Sequence, residues 1–265
     1  MNDGRAAFHA LHHAGHPLLL PNAWDHASAA ALAARGHPAI GTTSLGVAAT
    51  AGLPDGAAAT AGETLALARR LARLPVLLSV DVEAGFSDDP AEVAEYVAEL
   101  AGLGVVGINL EDGRADGTLA DAEVTAAKVA AVKAAVPELF VNARTDTWWL
   151  GVDDPLPQTL ARARAYRAAG ADGIFVPGTV DLATLRVLTE RIDAPVNALY
   201  QPGGPGLAEL GAAGVARVST GSLLFRAALG AALAAADAVR DGGPHTPVGL
   251  PAYAEVQALV PTGGD

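Results

Sequence analysis

One phrase recurs along this chain: an alanine-rich stretch, a glycine, then a short unbroken run of apolar residues. AARGHPAIGTTS, LAGLGVVGINLED, RAAGADGIFVPG and LGAAGVARVSTG all follow it. The glycine suits the left-handed position that closes a helix. The apolar run reads as a strand covered on both faces, as strands of parallel sheets are. Strands are expected at 18–21, 38–43, 75–81, 105–110, 138–143, 172–176, 195–199 and 214–218. Helical patterns lie between them, near 24–35, 60–73, 90–103, 119–136, 154–169, 181–191, 206–212 and 220–241. Eightfold strand–helix alternation predicts the α/β class and a (β/α)8 TIM-type barrel. A doubly wound open sheet is the alternative, but no G-x-G-x-x-G follows the first strand.

The expected organisation is one domain over residues 1–242, with a short helix near 4–14 closing the barrel's bottom. Residues 243–265 form a different segment, GPHTPVGLPAYAEVQALVPTGGD. Its Gly/Pro run reads as a linker. YAEVQALV reads as one more helix, docked on another subunit, or as a frayed end.

Composition narrows the function. The 265 residues are 51% hydrophobic, enough for one large core. Basic residues number 17 against 29 acidic, a net charge of −12, with no basic cluster. Nucleic acid is therefore excluded as a partner, because phosphate neutralisation needs clustered Lys and Arg. The absence of cysteine excludes disulfides, thiolate metal sites and a cysteine nucleophile. The N-terminus lacks a signal-peptide apolar core, and no run reaches a membrane span of about 18–20 residues. A soluble cytoplasmic protein without a membrane partner is expected.

Barrel enzymes work at the C-terminal ends of their strands, and the polar residues gather there. The first strand runs into Asn22, Trp24 and Asp25, and the second ends in Thr42, Thr43 and Ser44. The third ends in Asp81 and Glu83, the fourth in Glu111 and Asp112, the fifth in Asn142, Arg144 and Asp146. Strand alternation puts Ser79, Asp81 and Glu83 on one face, Asn109 and Glu111 on one face, and Asn142 and Arg144 on one face. With those faces inward, three acids and a guanidinium meet at the barrel mouth. Clustered carboxylates repel and raise one another's pKa unless a cation neutralises them. Mg²⁺ prefers oxygen ligands and keeps several waters, whereas no cysteine or strand-end histidine serves zinc. The metal candidates are Asp81, Glu83 and Glu111, and Arg144 suits a substrate carboxylate held bidentately. Asp25 and Asp112 fit helix caps better than catalysis, and Asp146 fits a partner for Arg144. The seven histidines lie before strands or in the tails, where solvated or packing roles fit.

LLLPNAWDHASAAALAARGHPAIGTTSLGVAATAGLPDG, then VDVEAGF, GINLED and NARTD, resemble the isocitrate lyase / phosphoenolpyruvate mutase superfamily in order and spacing over about 18–240. The resemblance implies a barrel with Mg²⁺ at its mouth, Mn²⁺ being a substitute, that makes or breaks C–C or P–C bonds beside a 2-oxo acid. It implies that the metal and nearby backbone groups hold an enolate of pyruvate or a related oxyanion. By position, Asp81 matches the direct metal ligand, and Glu83 and Glu111 match acids acting through metal-held water. Asp55, in GLPDG, matches a further acid near the metal. Thr43 and Ser44 match the segment holding the substrate's carboxylate and oxo group, and Arg144 the arginine near the substrate. Asn197 is a further candidate substrate contact. The eighth helix is often swapped in that superfamily, which implies a homo-dimer or homo-tetramer. The chain departs from it after Glu111: LEDGRADGTLADAE has no Lys-Cys-Gly-His run and no long mobile loop. Arg114, Asp116 and Asp121 are the charged groups there.

The expected function is a Mg²⁺-dependent lyase-type enzyme acting on a small 2-oxo or 2-hydroxy di-acid, through oxaloacetate-like cleavage or decarboxylation. Asp55, Glu111 and Arg144 are its catalytic candidates. One alternative is a phosphonate P–C mutase or hydrolase, where Arg114 would meet the phosphonate. Another is a non-catalytic protein that binds a 2-oxo acid such as 2-oxoglutarate.

Overall fold

The computed structural model describes residues 2–179, 181–242 and 249–260. In chain order the elements are α1 (Asn2–Leu11), β1 (Leu18–Leu20), β2 (Asn22–Ala23), α2 (His26–Ala34), β3 (Ala39–Thr42), α3 (Ser44–Ala51), α4 (Ala61–Leu71), β4 (Leu77–Asp81), α5 (Pro90–Gly102), β5 (Gly107–Glu111), α6 (Ala122–Ala135), β6 (Phe140–Arg144), α7 (Pro155–Ala168), β7 (Gly173–Val176), α8 (Leu182–Arg191), β8 (Val196–Leu199), α9 (Leu207–Ala212), β9 (Arg217–Ser219), α10 (Leu223–Arg240) and α11 (Tyr253–Gln257). All strand pairs are parallel, in the order β1-β9-β8-β7-β6-β5-β4-β3-β2. This is the single-domain (β/α)8 barrel.

The first stave is split. Pro21 has no N–H to give to the ladder, so β1 stops at Leu20 and β2 resumes at Asn22. β1 pairs with β9, β2 pairs with β3, and Gly41 N donates to Pro21 O across the break at 2.9 Å. Asn22 stitches this seam. Its Nδ2 donates to Thr42 O at 2.7 Å, and its Oδ1 accepts from the N–H groups of Thr220 and Gly221 at 2.9 Å each.

The repeated phrase folds as its glycines require. Gly104 and Gly170 follow their helices at φ +98° and +103°, where a side chain would be strained. The strands that follow are buried almost throughout. Their outward residues (Val80, Ile108, Val141, Ile174, Val196 and Val218, none more than 3% exposed) pack against helix faces such as Leu67, Val97, Leu100, Val132 and Leu185. This layer is the main apolar core, and burying each such side chain contributes about 1.5–3 kcal/mol.

At the barrel's bottom α1 acts as the plug. Phe8 is fully buried against Phe140, edge to face, and His12 stacks on the same ring at 4.0 Å. Gly107 leaves the room this needs, since a Cβ there would stand 2.7 Å from the Phe8 ring. Helix α3 was not expected; it begins at Ser44, directly after the second expected strand. The linker reading falls on residues 243–248, which with His245 lie outside the described residues. The tail helix occupies Tyr253–Gln257, shorter than YAEVQALV. Among the described residues no helix is long and apolar enough to cross a membrane.

Candidate active site

A pocket of about 330 Å³ opens at the C-terminal ends of the strands. Asp81, Asn109, Glu111, Arg144 and Ser219 reach it from the strands, Ser44 from the start of α3, and Thr43, Asp55, Arg114, Asp146 and Trp149 from the loops beyond. Asp81 is the last residue of β4. Its backbone N donates to Thr42 Oγ1 at 2.9 Å, which fixes the strand end. Its Oδ2 accepts from Ser44 N, the first residue of α3, at 3.3 Å. The unexpected helix thus turns its first N–H toward an acid, a favourable pairing at a helix N-terminus.

Glu83 departs from the alternation. The strand ends at Asp81, and Glu83 sits at φ +50°. Its carboxylate is 3% exposed, accepts from Thr60 Oγ1 at 2.6 Å and Ala58 N at 3.1 Å, and does not line the pocket. It ties down the segment 52–60, which carries Asp55 into the pocket wall. Lys128 holds the same turn from the other side, donating to Ala84 O at 2.9 Å.

Arg144 is clamped on both edges. Nη1 pairs with Glu111 Oε2 at 2.8 Å and Nε with Asp146 Oδ1 at 2.7 Å. Its guanidinium carbon lies 5.6 Å from the Phe175 ring centroid and 5.9 Å from that of Trp149, within cation–π range. Burial alone would lower the Arg144 guanidinium, but Glu111, Asp146 and Asp81 outweigh it and raise it. Burial pushes Glu111 up to about 8 against the pull of Arg144, with Asp81 and Asp146 adding to the rise. Asp81 and Asp146 are raised for the same first reason, again opposed by Arg144.

Asp112 is not a helix cap. It is 1% exposed and bridges three elements. Its Oδ1 accepts from Asp146 N at 2.8 Å; its Oδ2 accepts from Tyr166 Oη at 2.7 Å and Arg162 Nη1 at 3.0 Å. This knot sets the backbone of Asp146, and through it the Arg144 clamp. Asp25 does cap, accepting from Ser28 N at 2.7 Å. Asn197, by contrast, lies deeper in the barrel, 1% exposed and bonded to Ser219, and is not on the pocket wall.

Sequence reasoning missed the aromatic faces around Arg144, and it missed Arg217. Arg217 points into the barrel, 1% exposed, with Nη2 donating to Asn109 Oδ1 at 3.1 Å. Among the described residues its Nε and Nη1 have no hydrogen-bond partner, and burial lowers it to about 9 against the pull of Asp81. Its inward position on β9, two residues before Ser219, was the available signal.

Four carboxylates (Asp55, Asp81, Glu111 and Asp146) face this pocket against two guanidinium groups, Arg114 and Arg144. The balance is two negative charges, and burial disfavours the charged form of three of those acids. Among the described residues no three His, Asp or Glu side chains converge as a ready ligand cage. Few direct ligands, all oxygen, with an uncompensated charge of two, fit a mostly hydrated hard dication.

A family model described as phosphoenolpyruvate phosphomutase matches residues 8–240. An uncharacterized protein of Mycobacterium tuberculosis is 51% identical over 252 residues, covering 95% of each chain. An oxaloacetate decarboxylase of Ectopseudomonas mendocina is 35% identical over 193 residues, covering 67% of this chain and 64% of its own. A crystal structure from Burkholderia cenocepacia J2315, provisionally named a phosphonomutase, superposes with a TM-score of 0.84 at 39% identity, covering 89% of this chain and 99% of that one.

Proposed function

The chain belongs to the phosphoenolpyruvate phosphomutase family, and from that premise we propose that it is a Mg²⁺-dependent lyase cleaving or decarboxylating a small 2-oxo di-acid of the oxaloacetate type. The observation that carries this reading is the pocket itself, where Asp81 and Glu111 meet at the strand ends beside Arg144 and the first N–H of α3. Relatedness to an oxaloacetate decarboxylase supports the substrate class.

In this reading Asp81 would hold the ion, with Glu111 and Asp55 lining the same site, and Glu83 acts on Asp55 by fixing the segment that carries it. A divalent ion bound there supplies Lewis-acid polarisation of the substrate's 2-oxo and carboxylate oxygens and stabilises the charge that develops as the bond breaks. Thr43 and Ser44 line the end of the pocket that takes the 2-oxo acid group. Arg144, within cation–π range of Trp149 and Phe175 and gripped by Glu111 and Asp146, faces a substrate carboxylate with its remaining N–H groups. Decarboxylation suits this pocket because the electron pair of the broken C–C bond moves into the 2-oxo group. No acid on a mobile loop is needed to start it.

A second reading, P–C bond mutation or hydrolysis of a phosphonate, draws support from the family description and the Burkholderia relative. The loop after β5 argues against it. A bridge between Gly113 and Leu119 closes it into a short hairpin, too small to keep water from a reactive phosphoryl intermediate.

The reading extends to a homo-oligomer. Helix α10 buries none of its residues within the chain, and Leu229 and Leu233 are 50% and 59% exposed, an apolar face that a second subunit would cover.

Turnover tests the proposal. Oxaloacetate, 2-methylisocitrate and phosphonopyruvate are each supplied with Mg²⁺ and compared with protein-free controls. Enzyme-dependent pyruvate from oxaloacetate is expected. Product from phosphonopyruvate alone would replace this reading with the second. Binding without turnover of any of them would leave a non-catalytic 2-oxo acid protein.

A further inference from the structure

Two guanidinium groups face the pocket, and they are in different states. Arg144 is engaged by Glu111 and Asp146 and lies within cation–π range of two rings. Arg114 is exposed at the rim and has no side-chain hydrogen bond or ion pair among the described residues.

Its position is nevertheless set by the hairpin that carries it. Arg114 N donates to Thr118 O at 2.9 Å, and Arg114 O accepts from Gly117 N at 3.0 Å, with Gly117 at φ +79°. Gly113 lies against Asp146 so closely that a Cβ would stand 2.4 Å from its Oδ2. The hairpin is therefore anchored one residue from Arg114 to the acid that grips Arg144. The acid in the hairpin, Asp116, is hydrogen-bonded first to Thr118, with Oδ1 accepting from Thr118 N at 3.0 Å and from Thr118 Oγ1 at 2.6 Å, and Arg114 acts on it only as a charge through space. The wall beyond Arg144, formed by Trp149, Leu150, Phe175 and Pro177, offers no further cation.

We propose that Arg114 is a specificity-determining residue that receives a second, remote anionic group of the ligand, so that the pocket prefers a 2-oxo di-acid over a 2-oxo mono-acid. This rests on the reading of the pocket as a 2-oxo acid site. The carboxylate beside the 2-oxo group is the one that Arg144 faces. A second carboxylate would otherwise enter a rim of net negative charge, and Arg114 is the group there free to meet it with charge-assisted bonds.

The test compares pyruvate with oxaloacetate, 2-oxoglutarate and 2-oxoadipate in Mg²⁺, by calorimetry, with KM used for any ligand that is turned over. Arg114 is exposed, so Arg114→Gln and Arg114→Lys are expected to fold. The wild type should bind at least one di-acid about tenfold or more tightly than pyruvate, the scale of one charge-assisted contact. Arg114→Gln should bring that ratio to within about twofold with pyruvate affinity unchanged, and Arg114→Lys should keep most of it. The inference is overturned if the wild type shows no di-acid preference, if Arg114→Gln preserves the preference, or if it weakens pyruvate and di-acid equally. Failure of the wild type to bind any of the four would instead overturn the 2-oxo acid reading, and this inference with it.

Discussion

Replacing Gly113 with alanine tests how the site is held together. Gly113 has no positive φ, so Gly113→Ala adds a methyl group without straining the backbone. That methyl would meet Asp146 Oδ2 at 2.4 Å, where ordinary contact begins near 3.4 Å. The carboxylate must retreat by about 1 Å. Asp146 is 2% exposed, its Oδ1 is bonded to Arg144 Nε at 2.7 Å, and its N–H is fixed by Asp112. A 2.7 Å bond has only about 0.5 Å of slack before it leaves the normal range. The retreat exceeds the slack, so the Asp146–Arg144 bond weakens or breaks. Overpacking of this kind costs about 1–3 kcal/mol, which lowers Tm by about 2–4 °C per kcal/mol in a chain of this size. Arg144 loses one side of its clamp, and affinity for a di-acid in Mg²⁺ should fall about tenfold. Gly36→Ala is the control: it strains a positive φ away from the pocket lining and meets nothing within 4 Å. It should lower Tm by a similar or smaller amount and leave ligand affinity near wild type. The steric argument fails if Gly113→Ala keeps both wild-type Tm and wild-type affinity. It also fails if both glycine variants lose affinity alike.

Two further predictions concern the scaffold. Burial, with Arg217 second, lowers His12 to about 3 from an ordinary 6.5. The unfolded chain therefore binds the extra proton first, and the contribution of His12 to stability is complete above pH 6.5 and lost as pH falls toward 3, by about 1.4 kcal/mol per pH unit. Denaturant unfolding of the wild type and His12→Phe should converge by roughly 2 kcal/mol between pH 7 and pH 5; parallel stabilities over that window would refute it. Asp112→Ala should cost about 3–5 kcal/mol, because it strips the buried Tyr166 hydroxyl and the Arg162 guanidinium of their shared partner. A loss below about 1 kcal/mol in thermal unfolding would show that the knot is not a structural anchor.

Much of the barrel is legible in the sequence because its cause is local. A glycine that must adopt positive φ follows several helices, as Gly36, Gly104, Gly170 and Gly214 do, and a run such as VVGI has no polar face to expose. The discrepancies arise where a distant partner decides. Asp112 resembles a cap until Arg162 and Tyr166, some fifty residues on, reach it. Glu83 continues the alternation of Asp81 on paper, but its left-handed backbone and the donors of Ala58 and Thr60 turn it away from the pocket. SLGVAATA carries glycine and β-branched residues that disfavour a helix, yet α3 forms there and brings its N–H to Asp81. Asp81, Glu111 and Arg144 were found from strand-end position alone, since that position is a property of the fold. The aromatic faces on Arg144 and the inward Arg217 depend on which strands are neighbours, which spacing along the chain does not encode.

The proposed activity depends on a divalent ion held by Asp81 that activates a 2-oxo acid in this pocket. Its most direct test is the rate of pyruvate release from oxaloacetate, corrected for the protein-free rate at the same Mg²⁺, in wild type and Asp81→Ala, with and without chelator. Enzyme-dependent release should require Mg²⁺ and disappear in Asp81→Ala while that variant remains folded by circular dichroism. Release that persists in chelator, or in the folded Asp81→Ala protein, would contradict it.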